Sequence, residues 1–141
     1  MTAEPQARPK PLPHPDFDTE PFWEALRQRE LKLQRCQDCG EAYFYPRILC
    51  PSCWSENVQW ERMSGKGEVY TYTVIYRAPH PAFAEDVPYI VAVVELEEGP
   101  RLPVNIVNCE PDAMKVGLQV EVVFEAVNEE ITLARFKPLG A

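Results

Sequence analysis

Five cysteines carry most of the chemistry available to this chain, and four of them form two Cys-x-x-Cys pairs. The pairs are CQDCG over 36–40 and CPSCW over 50–54, with ten residues between Cys39 and Cys50. A Cys-x-x-Cys turn aims two sulfurs at one point. Two such turns brought together by a hairpin offer the four thiolates that a tetrahedral ion takes. Gly40 follows the first pair, where a left-handed backbone is often needed. Pro51 fixes φ inside the second. One pair alone would also suit a redox dithiol. Two pairs at this spacing point to a metal site, with disulfides or free core thiols as the weaker reading. Cys36, Cys39, Cys50 and Cys53 are therefore the candidate ligands. Zinc is the expected ion and iron the competitor, because knuckles of this kind also hold iron. Four protein ligands leave no position for water or substrate, so the ion is expected to be structural. A ribbon of about 25 residues buries too little apolar surface to fold alone, and the ion supplies the difference.

Little else suggests covalent chemistry. Cys109 has no Lys, Arg or His beside it to lower its pKa, so a small core or edge role is expected. His14 lies among prolines, and His80 lies in the loop RAPHPAF over 77–83. Neither is placed beside a Ser or Cys that it would activate. The chain has 22 acidic residues, so neighbours such as Glu85-Asp86, Glu97-Glu98 and Glu129-Glu130 arise by composition and read as solvated turns. No P-loop, GxGxxG or GxSxG is present. Gly65-Lys66-Gly67 is too short to cradle a phosphate and reads as the start of a strand. No catalytic residue is assigned, and the chain is not expected to be an enzyme by itself.

A length of 141 residues suits one medium domain or two small ones, and 45% hydrophobic content permits a core. No apolar run reaches the length of a membrane span, and no signal-peptide pattern opens the chain. A soluble, cytoplasmic protein is expected, since a reducing compartment suits metal-bound thiolates. The formal net charge is −8. Phosphate contacts draw on a basic surface, so this balance argues against a general nucleic-acid binder.

Stepwise along the chain, residues 1–16 carry Pro5, Pro9, Pro11, Pro13 and Pro15 and read as a disordered or extended arm. Residues 17–30 read as a helical leader capped by Asp18 or Thr19, with Glu20 and Pro21 in its first turn. Phe22, Trp23 and Leu26 share one face, which must pack on the rest of the protein or on a partner. Residues 31–62 form the ribbon, with strands at 31–35, 43–45 and 58–60. Residues 63–138 read as all β, with strands at 69–76, 89–96, 102–107, 119–125 and 131–136. Pro103 hints at an edge or a bulge. A helical turn is expected at 110–114. Five strands with a small helix after the third is the layout of an OB barrel, with another small barrel or a sandwich left open. The loop 77–88 is long and apolar-tipped, so Phe83 is expected to meet a partner, line a ligand channel or fold over its own barrel. Tyr70, Tyr72 and Tyr76 are expected on one strand face by their period of two.

The run FWEALRQRELKLQRCQDCG, YPRILCPSCWS, SGKGEVYTYTV, PYIVAVVELEEGPRLPVNI and VGLQVEVVFE resembles the zinc-ribbon/OB-fold family long catalogued as domain of unknown function 35. The likeness extends from about Phe17 to Pro138. It implies a mainly β protein with an N-terminal helical leader, a rubredoxin-like zinc ribbon and a C-terminal five-stranded OB barrel. It also implies the four cysteines above as zinc ligands and an accessory role beside a thiolase-like enzyme acting on acyl-CoA esters. That enzyme would be a thiolase, an aldolase or a hydroxymethylglutaryl-CoA-synthase-like protein. Trp54 stands where the family's second knuckle usually carries Gly, which implies a differently shaped turn. Leu102-Pro103-Val104 replaces a small residue and a glycine, which implies a narrower barrel mouth. Lys66, Arg77, Phe83 and Arg101, with Arg47, are the candidate contacts to acyl-CoA or partner. CoA phosphates favour such cations. Phe22, Trp23 and Leu26 are the candidate partner-facing leader. A nucleic-acid-binding module is the alternative reading, and a rubredoxin-like electron carrier stands behind it.

Overall fold

A computed structural model describes residues 10–140. Residues 1–9 of the proline-rich arm lie outside the described residues. Residues 10–15 run without regular structure, and Lys10 reaches Asp86 at 2.6 Å.

The helix α1 spans Glu20–Arg27. Its cap is neither Asp18 nor a Thr19 side chain bonded forward. Asp16 does this work: its Oδ1 accepts from the Thr19 N–H at 2.9 Å and the Thr19 hydroxyl at 3.1 Å. The Asp16 N–H donates to Thr19 Oγ1 at 3.0 Å, and its carbonyl accepts from the Glu20 N–H at 2.8 Å. The first turn thus begins upstream of the regular helix, and the capping side chain moves upstream with it. An eight-residue helix is too short to persist in water without packing. Phe22 and Leu26 are buried, and the Phe22 ring meets Trp23 and Phe44 at 5.1 and 5.7 Å. The leader therefore turns its apolar face onto this chain's own core. Phe22 and Leu26 are not available to a partner, and Trp23 is only half-exposed.

Strands β1 (Lys32–Cys36), β2 (Ala42–Tyr43) and β3 (Val58–Arg62) form an antiparallel sheet in the order β2-β1-β3. Strands β4 (Lys66–Ile75), β5 (Tyr89–Leu96), β6 (Arg101–Ile106), β7 (Gln119–Ala126) and β8 (Thr132–Pro138) follow. They close into a barrel in the order β4-β5-β6-β8-β7, with β6 and β8 parallel at Ile106 and Phe136. A 3₁₀ turn at Pro111–Ala113 joins β6 to β7. Closure and strand order give the OB layout and remove the sandwich alternative. Strand β5 reads in the sequence as a nearly unbroken apolar run, and the fold divides it: Ile90, Ala92, Val94 and Leu96 are buried in strict alternation while Val91 and Val93 are half-buried. Pro103 pairs with Val93 in an unbroken β5–β6 ladder, so no bulge forms there, and the pairing of β6 with β8 lies further on, at Ile106.

One expectation fails at a bulge. The β4–β5 register shifts between Val69 and Thr71, and Tyr70 is the extra residue. The inward face passes from Gly67 and Val69 to Tyr72 and Val74. Tyr70 lies exposed under Arg101, with 3.9 Å from guanidinium carbon to ring centre, while the Tyr72 hydroxyl donates inward to the Met114 carbonyl at 3.2 Å. The three tyrosines do not form one platform.

One core runs through all three parts. Phe22 and Leu26 from α1, Leu31 and Leu33 from the ribbon base, and Val69, Val94, Val120 and Phe136 from the barrel belong to it. Among the described residues, no helix is long and apolar enough to cross a membrane. Gly67 permits a close approach of β4 to β5, since a Cβ there would overlap the Glu95 carbonyl oxygen. Gly67→Ala is therefore expected to lower stability by about 1–3 kcal/mol. A reduced urea midpoint with unchanged slope would show it.

Candidate metal centre

The four cysteines come from two turns built alike. In the first, the Cys36 N–H donates to the Glu41 carbonyl at 2.9 Å and the Gly40 N–H to the Cys36 carbonyl at 3.0 Å. In the second, the Cys50 N–H donates to the Ser55 carbonyl at 3.0 Å and the Trp54 N–H to the Cys50 carbonyl at 2.9 Å. Gly40 has φ 79° and Trp54 has φ 66°, so both knuckles close through a left-handed residue. The tryptophan does not change the shape of its turn. It adopts the glycine conformation at a cost of about 1 kcal/mol. Two ties hold the knuckles together. The Gln37 N–H donates to the Asn57 carbonyl at 2.8 Å, and Asp38 accepts from the Ser55 hydroxyl and, at 3.4 Å, from Asn57 Nδ2.

The four Sγ atoms lie within 4.8 Å of one another, with Cys36–Cys53 and Cys39–Cys50 both at 3.6 Å. A tetrahedron with metal–sulfur bonds near 2.3 Å has sulfur–sulfur edges of about 3.8 Å. A disulfide would need about 2.05 Å. The sulfurs are therefore spaced for an ion and not for each other. Backbone amides prepare them: the Cys39 N–H points at Cys36 Sγ at 3.5 Å, and the Ser52 N–H at Cys50 Sγ at 3.4 Å. The Cys39 amide holds the Cys36 thiol down to about 7 against its burial. Burial pushes Cys50 up, but the amides of Cys53 and Ser52 outweigh it and leave the thiol lowered. The outer pair behaves oppositely. The Glu41 amide pulls Cys39 down, yet burial and the neighbouring sulfurs carry it up to about 12. At Cys53 the Ser55 amide is likewise overcome, by the Cys36 sulfur and burial. Two thiols eased toward the thiolate beside two pushed away from it form a donor set that a cation would complete as four thiolates. The local apolar support is slight: Cys36, Cys50 and Tyr43 are buried together, with Val58 against them.

The other sequence candidates do not converge on one site. Lys66 and Arg101 open β4 and β6 at one end of the barrel. Arg77 and Phe83 lie in the loop beyond the far end of β4, roughly 30 Å of strand away. Arg101 is held by Glu95 at 2.9 Å. Arg47 is exposed on the ribbon, where its N–H donates to the buried Gln34 Oε1 at 2.7 Å. Phe83 folds over its own barrel between His80 and Tyr89. His80 uses Nδ1 to accept the Ala82 N–H at 3.0 Å and so caps a 3₁₀ turn. Burial raises the Cys109 thiol, helped by Glu110, which opposes reactivity. Leu102, Pro103 and Val104 wall an apolar cleft of about 170 Å³ with Phe22, Trp23 and Phe44. A groove of about 490 Å³, edged by Phe83, Tyr89, Asn105 and Arg135, opens on the barrel face. The sequence reading missed both clefts, because each is assembled from distant segments. It also missed the Asp38–Ser55 tie, for which the turn-forming residue types were the available signal.

A four-cysteine knuckle sheet sharing one core with a closed five-stranded barrel defines a zinc-ribbon/OB-fold protein. Residues 23–59 match the family described as "ChsH2, rubredoxin-like zinc ribbon domain", and residues 60–125 match "ChsH2, C-terminal OB-fold domain". A "DUF35 domain-containing scaffold protein" of Methanocaldococcus jannaschii is 40% identical over 83% of this chain and 88% of its own length. The chain belongs to the DUF35 family. It is 39% identical to a "Probable enoyl-CoA hydratase alpha subunit" of Thermomonospora curvata over 97% of this chain, which spans 43% of that protein. It is 29% identical to the "Benzoylsuccinyl-CoA thiolase subunit BbsA" of Geobacter metallireducens over 76% of this chain and 72% of that one. The solved "Ltp2-ChsH2(DUF35) aldolase" contains a chain with TM-score 0.80 and 38% identity, covering 90% of this chain and 98% of that one.

Chelation of the ion, or Cys39→Ser, is expected to expose amides over 36–57 to hydrogen exchange while the barrel strands keep their protection. Equal protection with and without metal would contradict a structural ion. The affinity should also fall with acid. Cys39 and Cys53 are raised from 9.0, so both carry protons near neutrality and binding displaces at least these two. A loss of at least about a hundredfold per pH unit between pH 7 and 6 is expected, measured by chelator competition.

Proposed function

We propose that this chain is a non-catalytic accessory subunit that binds a thiolase-like enzyme acting on acyl-CoA esters, with a structural zinc ion in its ribbon. The observation that carries this reading is its end-to-end likeness to a chain of an aldolase assembly, at 38% identity and 98% coverage of that chain. The thiolase subunit BbsA and the scaffold protein point the same way. The chemistry of the chain agrees. His80 is spent on a turn, Cys109 is pushed away from reactivity, and the four remaining thiols converge at a spacing that suits one ion. Zinc suits the closed thiolate tetrahedron and would be held by Cys36, Cys39, Cys50 and Cys53. Four filled positions give it a folding role and no substrate site. A reducing cytoplasm would keep these thiols available to the metal.

If the partner's acyl-CoA reaches this chain, the structure favours the barrel end that carries Arg77 and Phe83. The groove edged by Phe83 and Arg135 opens there. Lys66 and Arg101 lie at the other end, where the Arg101 guanidinium already serves Glu95 and Tyr70. Within the groove Lys10 is paired with Asp86 and Arg135 with Glu125. Cations for CoA phosphates would therefore come largely from the partner. The hydratase subunit favours a second reading of the partner's chemistry, hydration in place of carbon–carbon cleavage.

Native mass spectrometry of the tagged chain purified from its own cells tests the proposal. A complex with a thiolase-like chain, carrying one zinc per copy of this chain, is the expected result. A complex with a hydratase-like chain would select the second reading. A lone monomer under gentle conditions would refute both.

A further inference from the structure

The second knuckle carries a side chain that its own fold does not need. Trp54 is 77% exposed and sits in a left-handed backbone conformation. The equivalent residue of the first knuckle is Gly40, at which a Cβ would meet nothing. Both turns make the same backbone hydrogen bonds, so the fold asks only for glycine's freedom at either place. An indole there works against its local backbone and covers no core. Strain kept at an exposed aromatic side chain points to a role outside the chain. Its surroundings agree. Ile48 is 64% exposed and, with Leu49 and Pro51, walls a shallow groove of about 300 Å³ that Trp54 and Arg47 complete. Exposed apolar side chains are thus gathered on one side of the ribbon tip.

Charge narrows the occupant. Asp38 lies on the same ribbon tip, where its carboxylate accepts from the Ser55 hydroxyl and, at 3.4 Å, from Asn57 Nδ2. Glu56 is exposed on the same turn and Glu41 beside the first knuckle, so the tip stays acidic although Arg47 lines the groove. Nucleic acid or an anionic membrane would meet these carboxylates as like charge. A second copy would bring the same patch against itself, with a charge of −8 on each chain. A protein surface with a cationic rim meets neither obstacle.

We propose that Trp54 is the anchor by which this chain docks on its thiolase-like partner, seating the indole in an apolar pocket rimmed by Lys or Arg. The inference rests on the accessory-subunit reading above. Buried tryptophans are prominent among residues that dominate interface energetics, and flanking charges set register and encounter rate.

Trp54→Gly and Trp54→Asn both suit a left-handed backbone and test the proposal in the full chain. Both variants should keep one metal and a Tm no lower than wild type. Their affinity for the thiolase-like chain that co-purifies with wild type should fall at least about thirtyfold, read by titration of the purified partner. Trp54→Phe should retain part of the affinity. Unchanged affinity in both variants would overturn the anchor and leave the accessory reading standing. Loss of metal or a lowered Tm in both would make Trp54 a residue of its own fold and equally overturn it. Self-association of the wild type that the variants abolish would make a second copy the occupant. A wild type that binds no thiolase-like chain would remove the accessory reading and this inference together.

Discussion

Four sulfurs held around one point are the constraint on which the ribbon depends. The tip of the ribbon has almost no apolar interior: among the described residues, the core cluster around Cys36 and Cys50 adds only Tyr43, with Val58 packed against it. Apolar burial on that scale cannot offset the entropy of ordering some twenty residues. The geometry is instead set by hydrogen bonds that close each knuckle and by two ties between them, through Gln37 to Asn57 and Asp38 to Ser55. These place the sulfurs 3.6 Å apart in pairs and leave a positive ion as the partner that relieves their crowding. Metal affinity and local folding are therefore one equilibrium.

The base of the ribbon obeys a different rule. Leu31 and Leu33 leave the metal-bound end and enter the same core as Phe22, Leu26 and the barrel side chains. The leader, ribbon base and barrel are thereby locked by ordinary hydrophobic packing, and only the tip is left to the metal. Such a body suits a scaffold, because its surfaces keep fixed positions relative to one another. The knuckle face with Ile48 and Trp54 and the groove beside Phe83 are two such surfaces. They differ in character: the first is mainly apolar with acidic neighbours, whereas the second is ringed by ion pairs already satisfied within the chain.

Many cations of the chain are committed in this way. Arg35 pairs with Glu61, Arg27 with Glu20, Arg101 with Glu95 and Arg135 with Glu125. Exposed pairs of this kind add little stability. Their effect is on the surface field, since they cancel much of the positive charge and leave the acidic excess to dominate. That field disfavours polyanions and favours a basic protein surface.

The sequence by itself determined what is local. Cysteine spacing singled out the four thiols that converge, and β-branched, aromatic and alternating apolar runs located each barrel strand to within a few positions, because such side chains suit a pleated surface buried on one face. It also made the leader's apolar face plain at Phe22, Trp23 and Leu26. What that face meets was decided by tertiary structure, since Phe44 and the barrel strands that help bury it lie further along the chain. The same holds for Asp16, whose capping role depends on a turn starting early, and for Tyr70, where one bulge residue reverses the inward and outward sense of the strand. The separation of Lys66 and Arg101 from Arg77 and Phe83 by the length of β4 is a further case. Spacing along a chain fixes which side chains share a turn or a strand face. Only the closing of the barrel fixes which of those faces come together.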